Sequence, residues 1–239
     1  MKKYILFIVE GKNDKKEMQA ILRSVCGQAF KEIYVDAYYV HGGDITSEKE
    51  SSEKNIIIRL NKIVVNWRNG GEEPYQKIST SDVRRIVHII DMDGAFIPES
   101  DIIQTDDGKV KYNNQSIEYF EPNIIMNRNR KKARIIRKLL QVERIDNIPY
   151  KIYFASCNMD HVLFDDRNSN TADKGRNAFI FSNTEDINTK IYESVFANNI
   201  RAEGTYMESW DMIMEDHNSL LRHTNINLFL KEIIETEDK

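Results

Sequence analysis

The sequence is poor in cysteine and has no long hydrophobic run, and each absence excludes a class of protein. Its two cysteines, Cys26 and Cys157, lie far apart without a CxxC pair or a histidine-rich neighbourhood, so neither a disulfide framework nor a zinc site is supported. No segment approaches the ~20 apolar residues that cross a bilayer. The apolar stretch 4–9 has only six residues and no small-residue cleavage site follows it, which argues against a signal peptide. We therefore expect a soluble protein of the reducing cytoplasm without membrane contact.

Repeats and low-complexity tracts are also absent, and the composition is globular: 41% of the 239 residues are hydrophobic and 30% are charged. The net charge of −4 argues against a protein that coats nucleic acid nonspecifically, but it leaves room for a local basic surface. The segment 127–141, "NRNRKKARIIRKLLQ", is strongly basic and has no acidic residue. Its cations are Arg128, Arg130, Lys131, Lys132, Arg134, Arg137 and Lys138.

The order of predicted elements indicates an α/β fold, in which helices flank a mostly parallel sheet. Apolar runs rich in β-branched and aromatic residues predict strands at 4–9, 32–40 and 83–91. Amphipathic spacing predicts helices at 14–25 and 51–69 between them. Alternating strands and helices pair in parallel through right-handed crossovers, and ligands bind beyond the carboxyl ends of such strands.

The rest of the chain is predicted to contain an insertion and a helical end. The segment 95–123 is irregular, and "YNNQS" at 112–116 is typical of a turn between two strands of a β-hairpin. The basic segment is predicted to form a helix after this hairpin, and residues 150–156 are predicted to form a fourth strand. The remaining residues are predicted to be helical. We divide the chain into the first part of the core (1–94), the insertion and basic helix (95–148), and the rest of the core with a helical C-terminal part (149–239).

Carboxylates follow the predicted strand ends. Glu10 ends the first strand, Asp91 and Asp93 end the third, and Asp44 is a further carboxylate near the expected pocket. Crowded carboxylates are costly unless a cation neutralises them, and hard oxygen ligands select Mg²⁺ or Mn²⁺. Two such ions, about 4 Å apart, activate water and stabilise the leaving oxygen of a phosphodiester.

Three chemistries use an Asp-x-Asp pair: an aspartyl-phosphate phosphatase, a metal-dependent sugar transferase and a metal-dependent nuclease. "DMDGAF" at 91–96 resembles the first motif of haloacid-dehalogenase-type phosphatases, in which Asp91 would be the nucleophile. Those enzymes carry a Thr or Val and then an aliphatic residue after the Gly, where Ala95 and Phe96 stand here, and they place the motif on the first strand. The interpretation as a sugar transferase is supported only by the Asp-x-Asp pair.

Two motifs together resemble the Toprim domain: "FIVEGKND" at 7–14 and "HIIDMDG" at 88–94, with a Gly42–Gly43 turn between them. The resemblance spans 4–94 and extends towards residue 165. It implies a metal-dependent phosphoryl-transfer site, as in topoisomerases, primases, small ribonucleases and the nucleases called OLD and RloB. The chain has no room for the companion domains of topoisomerases or the zinc segment of primases, so the resemblance that remains is to standalone nucleases of the OLD and RloB type.

The resemblance also implies roles for individual residues. Glu10 and Asp91 would be metal ligands, Asp93 a second or bridging ligand, and Asp14 either a ligand or the cap of its helix. In "FASCNMDHVLFDD", Asp160 would take the place of the Glu in the family pattern "sxPxFExWLL", although the Pro is absent.

Lys174, in "NTADKGRNAF", matches a lysine that those families place downstream. It could stabilise the charge that develops on a scissile phosphate, or it could simply be solvated. Two interpretations also remain open for the basic helix: a solvated face that covers Ile135 and Leu139, or a contact with nucleic acid, which relieves the repulsion among cations through counterion release.

The expected function is therefore that of a Mg²⁺-dependent endonuclease acting on DNA or RNA, with tRNA as one candidate substrate. Resemblance to OLD and RloB implies a toxic effector of bacterial anti-phage defence that acts by abortive infection. The resemblance also implies a separate ATPase beside the nuclease, and because the chain lacks a Walker A motif of its own, any control by ATP would come from such a partner. The alternatives are a phosphatase with Asp91 as nucleophile and a catalytically silent nucleic-acid-binding or regulatory subunit. The oligomeric state is not indicated.

Overall fold

The computed structural model describes residues 3–26, 33–39, 44–70 and 77–237. The strands are β1 (Lys3–Val9), β2 (Ile33–Tyr39), β3 (Val83–Asp91), β4 (Ile102–Gln104), β5 (Lys111–Tyr112), β6 (Ile117–Tyr119), β7 (Arg144–Ile145), β8 (Ile148–Ser156) and β9 (His223–Thr224). The helices are α1 (Lys12–Cys26), α2 (Ile56–Arg68), α3 (Pro122–Leu139), α4 (Met159–Phe164), α5 (Thr171–Ser182), α6 (Ile187–Ser194), α7 (Tyr206–Ile213) and α8 (Ile226–Glu237).

The main sheet confirms the predicted α/β class. Its long strands lie in the order β2-β1-β3-β8 and all pair in parallel, while the short strands β7 and β9 pair antiparallel with β8. Leu6 of β1 aligns with Ile86 of β3, which aligns with Tyr150 of β8. The carboxyl ends of these four strands therefore meet at one edge of the sheet.

Helices cover both faces of this sheet, which explains why its strands are continuous apolar runs. Phe7 belongs to an apolar layer with Met18 of α1 and Phe229 of α8, and the Phe7 and Phe229 rings meet edge to face with centroids 5.3 Å apart. Leu6 faces the opposite layer, which contains Leu60 of α2 and Ile136 of α3. Successive residues of β1 thus serve two cores.

The insertion contains the predicted β-hairpin. Strands β5 and β6 pair antiparallel, and the amide of Asn113 donates a hydrogen bond of 2.9 Å to the carbonyl of Ser116 across the turn. Strand β4 pairs in parallel with β6 and completes a small second sheet. Buried Ile117 and Ile125 join this sheet to α3, and Leu220 packs in the same cluster.

Several helix boundaries differ from the prediction. Helix α1 begins at Lys12, so Asp14 lies inside the first turn, where its carboxylate accepts a 2.8 Å hydrogen bond from the amide of Gly11. Helix α2 begins only at Ile56, and α3 begins at Pro122, ahead of the basic segment. The predicted Gly42–Gly43 turn lies outside the described residues.

No helix in the described part of the chain is both long enough and apolar enough to span a membrane.

Candidate metal centre

Two acidic residues that are far apart in the sequence meet at the carboxyl edge of the sheet. Glu10 follows β1, and Asp91 ends the neighbouring strand β3. The Glu10 Oε1 atom accepts a hydrogen bond of 3.0 Å from the amide of Asp91. The parallel pairing of β1 with β3 therefore brings both carboxyl groups to one place.

Glu10, Asp44 and Asp93 form the acidic triad. Each offers a carboxylate oxygen, and these oxygens all lie within 4.8 Å of one another. Asp91 is not in this group, and its Oδ1 atom accepts a 3.1 Å hydrogen bond from the amide of Met159 at the start of α4. The structure thus brings Asp44 into the triad and places Asp91 beside it.

Strand alternation accounts for this separation. In β1 and β3, residues with even numbers, such as Ile8 and Ile90, face the layer formed by α2 and α3. Residues with odd numbers, such as Val9 and Ile89, face the layer formed by α1 and α8. Glu10 accordingly turns towards α3. Asp91, of the opposite parity, turns towards α1 and α4.

Lys132 of α3 enters the acidic triad. Its Nζ atom lies 2.7 Å from Asp44 Oδ2, 2.7 Å from Asp93 Oδ2 and 3.7 Å from Glu10 Oε1. The lysine side chain has no exposed surface. An ammonium group therefore lies among the three carboxylates and neutralises part of their charge.

The turn at Asp93 and Gly94 aims the Asp93 carboxylate at this cluster. Both residues have positive φ angles, 50° and 67°. A Cβ atom on Gly94 would lie 2.7 Å from Leu220 Cδ2, so this position requires glycine. Arg128 Nη2 donates to the Asp93 carbonyl at 2.8 Å, and Asn129 Nδ2 donates to the Gly94 carbonyl at 2.9 Å. Helix α3 thus holds the turn from outside.

The hairpin also contacts the site. The Tyr112 hydroxyl donates to Asp93 Oδ1 at 3.3 Å and accepts a 2.8 Å hydrogen bond from Arg128 Nη1. The Arg128 guanidinium lies 5.8 Å from the centre of the Tyr112 ring. Burial, followed by the charge of Asp93, raises the pKa of Tyr112, so its hydroxyl stays protonated.

A second acidic group lies on the α1 side of Asp91. It contains Asp14 and Glu17 of α1 and Asp160 of α4, and Lys174 Nζ of α5 lies 3.1 Å from Asp160 Oδ2. Glu17 Oε1 and Asp160 Oδ1 are buried without a hydrogen-bond partner. Within the described residues this group does not bring three ligand atoms within 4.8 Å of one another.

Charge is unbalanced across these two groups. Burial, followed by the charge of Asp44, raises the pKa of Glu10 well above its usual value, and burial with the charge of Asp14 does the same for Asp91. Burial would also raise the pKa of Asp44, but Lys132 and Thr46 lower it to about 2. Among the described residues, seven carboxyl groups lie in this region together with three cationic side chains. The carboxyl groups are those of Glu10, Asp14, Glu17, Asp44, Asp91, Asp93 and Asp160, and the cations are Arg128, Lys132 and Lys174.

These donors fit a hard divalent cation. The triad consists only of carboxylate oxygens, which bind Mg²⁺ and Mn²⁺ in preference to softer metals. The excess of buried acidic groups would be relieved by added positive charge. Glu10, Asp44 and Asp93 are the residues that would hold such an ion, with Asp91 next to them.

Helix α3 divides the predicted basic segment between two faces. Lys132 and Arg128 point to the acidic site, and the Lys131 ammonium donates to the Glu48 carbonyl at 2.6 Å. Arg130, Arg134 and Arg137, at helical spacing, form an exposed arginine stripe, and Lys138 is partly buried.

The exposed arginine stripe borders a groove. Arg130 pairs with Glu99, and Arg134 lies 3.7 Å from Glu53, so acids from distant segments compensate part of the charge. Arg137 stacks over the Phe96 ring at 5.0 Å from its centre. The groove encloses about 330 Å³ between this stripe and the chain that follows Gly94, namely Ala95, Phe96, Ile97, Glu99 and Ile102.

Three residues of the site were not predicted from the sequence: Glu17, Tyr112 and Asn129. Glu17 lies one helical turn after Asp14, and that spacing could have revealed it. Tyr112 and Asn129 carry no sequence signal for their contacts with Asp93 and Gly94, because those contacts depend on how the insertion packs.

Comparison of the chain with protein-family models, with curated proteins and with solved structures gave no match. The likeness to Toprim nucleases therefore depends on the two motifs and the residues they carry.

Proposed function

We propose that this protein is a metal-dependent nuclease, a hydrolase that cleaves phosphodiester bonds in DNA or RNA, with tRNA as one candidate substrate. One observation carries the proposal: Glu10, Asp44 and Asp93 present carboxylate oxygens within 4.8 Å of one another at the carboxyl edge of a parallel sheet. The Toprim-like motifs around Glu10 and Asp91 support the same chemistry. The second acidic group supports the expectation of two ions, since Glu17 Oε1 is buried there without a partner.

The chain's own residues would place and polarise the substrate. Mg²⁺ or Mn²⁺ bound at this edge would activate water and neutralise the leaving oxygen. Lys174 keeps 36% of its side chain exposed next to Asp160, so it can contact a phosphate and stabilise the charge developing on it. The groove along Arg134 and Arg137 would hold the neighbouring backbone phosphates.

Cleavage assays test this proposal. The purified protein is incubated with plasmid, single-stranded DNA and tRNA in Mg²⁺, in Mn²⁺ and in EDTA. We expect cleavage of at least one substrate that EDTA abolishes and that Glu10→Gln reduces about a hundredfold or more, the scale of losing an electrostatic catalytic group. The matched control is Glu193→Gln, which changes an exposed glutamate of α6 and should cleave normally.

Two other results would replace the proposal. Hydrolysis of a small phosphate ester that requires Asp91 but not Glu10 would identify a phosphatase of the dehalogenase type. Binding of nucleic acid without cleavage of any substrate, with or without a co-expressed ATPase, would identify a silent binding or regulatory subunit.

We further propose that the nuclease is the toxic effector of an anti-phage defence system controlled by a separate ATPase subunit. Resemblance to OLD and RloB nucleases supports this role. Expression of the protein with and without an ATPase encoded beside it, followed by phage challenge, tests the proposal. Protection that disappears with Glu10→Gln supports it, and protection that Glu10→Gln leaves intact contradicts it.

A further inference from the structure

The Lys132 ammonium uses the oxygens that a metal ion in the acidic triad would need. It bonds Asp44 Oδ2 and Asp93 Oδ2 at 2.7 Å each and lies 3.7 Å from Glu10 Oε1. A divalent ion bound by the same three residues would lie within a few ångströms of this ammonium. Two cations at that separation in a buried site repel strongly.

The remaining oxygens of two of these carboxylates already have partners. Asp44 Oδ1 accepts a 2.7 Å hydrogen bond from the amide of Thr46, and Asp93 Oδ1 accepts one from the Tyr112 hydroxyl at 3.3 Å. The Oδ2 atom of each carboxylate lies 2.7 Å from the Lys132 ammonium, and Asp44 Oδ2 also lies 2.7 Å from the Thr46 hydroxyl. The inward-facing oxygens are therefore the atoms for which the lysine and an incoming ion would compete.

Lys132 is also tethered in place. Its neighbours Arg128 and Asn129 hold the backbone of Asp93 and Gly94. Because the ammonium is attached to the helix that braces the site, its effective concentration at the triad is high. It has no exposed surface, so solvent does not compete for it.

We propose that Lys132 is a resident cation of the Glu10–Asp44–Asp93 triad and competes with the divalent ion for it, so that metal binds only as the ammonium leaves. This inference rests on the proposed metal-dependent function, because it assigns the regulation of the same site. It makes Lys132 a residue that sets the affinity of the triad for metal.

Metal titration tests the competition without any cleavage assay. Binding of Mn²⁺ is measured by calorimetry, and bound Mn²⁺ is counted by electron paramagnetic resonance. Lys132→Met keeps most of the aliphatic stem and removes the charge, and we expect it to bind Mn²⁺ at least tenfold more tightly at one site than the wild type does. Lys231→Met, which changes an exposed lysine of α8, should match the wild type. Adding Asp44→Asn to Lys132→Met should remove the tight site.

The wild-type protein provides a second measurement in case Lys132→Met does not fold. A nuclear magnetic resonance spectrum selective for lysine ammonium groups should show a protected Lys132 signal, assigned by its loss in Lys132→Arg. We expect Mg²⁺ to shift or remove this signal. A signal that Mg²⁺ leaves unchanged while Mg²⁺ binds would overturn the proposal.

The remaining outcomes separate this inference from the proposed function. Equal or weaker Mn²⁺ affinity in folded Lys132→Met, combined with metal-dependent cleavage by the wild type, would overturn the competition and leave the nuclease intact. Absence of Mn²⁺ binding in both proteins would overturn the metal site and the proposed function together. Metal competition without cleavage of any nucleic acid would support the inference and count against the nuclease alone.

Discussion

Glu10 and Asp91 are joined by a hydrogen bond of 3.0 Å from the Asp91 amide to the Glu10 carboxylate, although 81 positions separate them in the chain. Their side chains nevertheless serve different groups, because Glu10 faces Lys132 and Asp91 faces α4. The sheet edge is thus a boundary between two acidic clusters, each with its own lysine.

Replacing Gly94 should destabilise the fold. We expect Gly94→Ala to lower the free energy of unfolding by about 1–3 kcal/mol, because φ is 67° and the new methyl group would meet Leu220. Urea unfolding measures this as a lower midpoint at unchanged slope. The control is Gly108→Ala, whose Cβ would meet nothing within 4 Å, and its stability should stay within about 0.5 kcal/mol of the wild type. Equal stability of the two variants would contradict this account of the turn.

Acid should weaken the fold partly through His88. Burial lowers the pKa of His88 to about 4, and its Nδ1 atom lies 2.7 Å from the Tyr150 hydroxyl. In the unfolded chain the His88 imidazole takes up a proton at about pH 6.5, whereas in the folded protein it does so only at about pH 4. Between these two values the unfolded state binds more protons than the folded state. The free energy of unfolding therefore falls as the pH is lowered through that window.

The contribution of His88 is isolated by comparison with a variant. The titration of His88 should lower the free energy of unfolding by about 3 kcal/mol between pH 7 and pH 4. His88→Gln keeps a hydrogen-bonding side chain but does not titrate, so its free energy of unfolding should fall less between pH 7 and about 4.5. Burial raises the pKa of Glu10 and Asp91, which has the opposite effect on stability, but that effect is common to both proteins and cancels in the difference. Parallel pH profiles would show that His88 is not the cause.

The hairpin should assist cleavage through Tyr112. Tyr112→Phe removes the hydroxyl that donates to Asp93 Oδ1, and we expect cleavage to slow about fivefold, the equivalent of one hydrogen bond of ~1 kcal/mol. The rate is measured on the best substrate under saturating Mg²⁺. Tyr192→Phe, in a side chain that is 73% exposed, should have no effect. An unchanged rate in Tyr112→Phe would mean that Arg128 alone holds this side of the turn.

The exposed arginine stripe should contribute affinity without sequence preference. We expect Arg134→Gln and Arg137→Gln each to lower the affinity for nucleic acids of unrelated sequence by a similar factor. The slope of log affinity against log salt should fall by about 0.9 for each phosphate that the variant no longer neutralises. Fluorescence anisotropy over a salt series measures both quantities. The control is Arg23→Gln, which changes an exposed residue of α1. If a variant of the arginine stripe has the same salt dependence as this control, the groove is not the binding surface.

The sheet and the meeting of Glu10 with Asp91 were predictable from the sequence. Buried parallel strands leave a strong apolar signature, and the carboxyl ends of such strands share one edge. The position of Lys132 was not predictable. The basic segment contains no acid, so it favours an exposed surface, yet Asp44 and Asp93 reach Lys132 from other segments. Charge pairs of this kind depend on tertiary packing, which the local pattern does not encode.

The turn at Asp93 and Gly94 has a consequence for any attempt to transplant the site. Its backbone is held by Arg128 and Asn129, its glycine lies against Leu220, and the amide of Gly94 donates to the Ser219 carbonyl at 3.1 Å. The acidic edge is therefore assembled from segments spread over most of the polypeptide. A minimal version cut after the second motif would keep the signature residues and lose the scaffold that orients them.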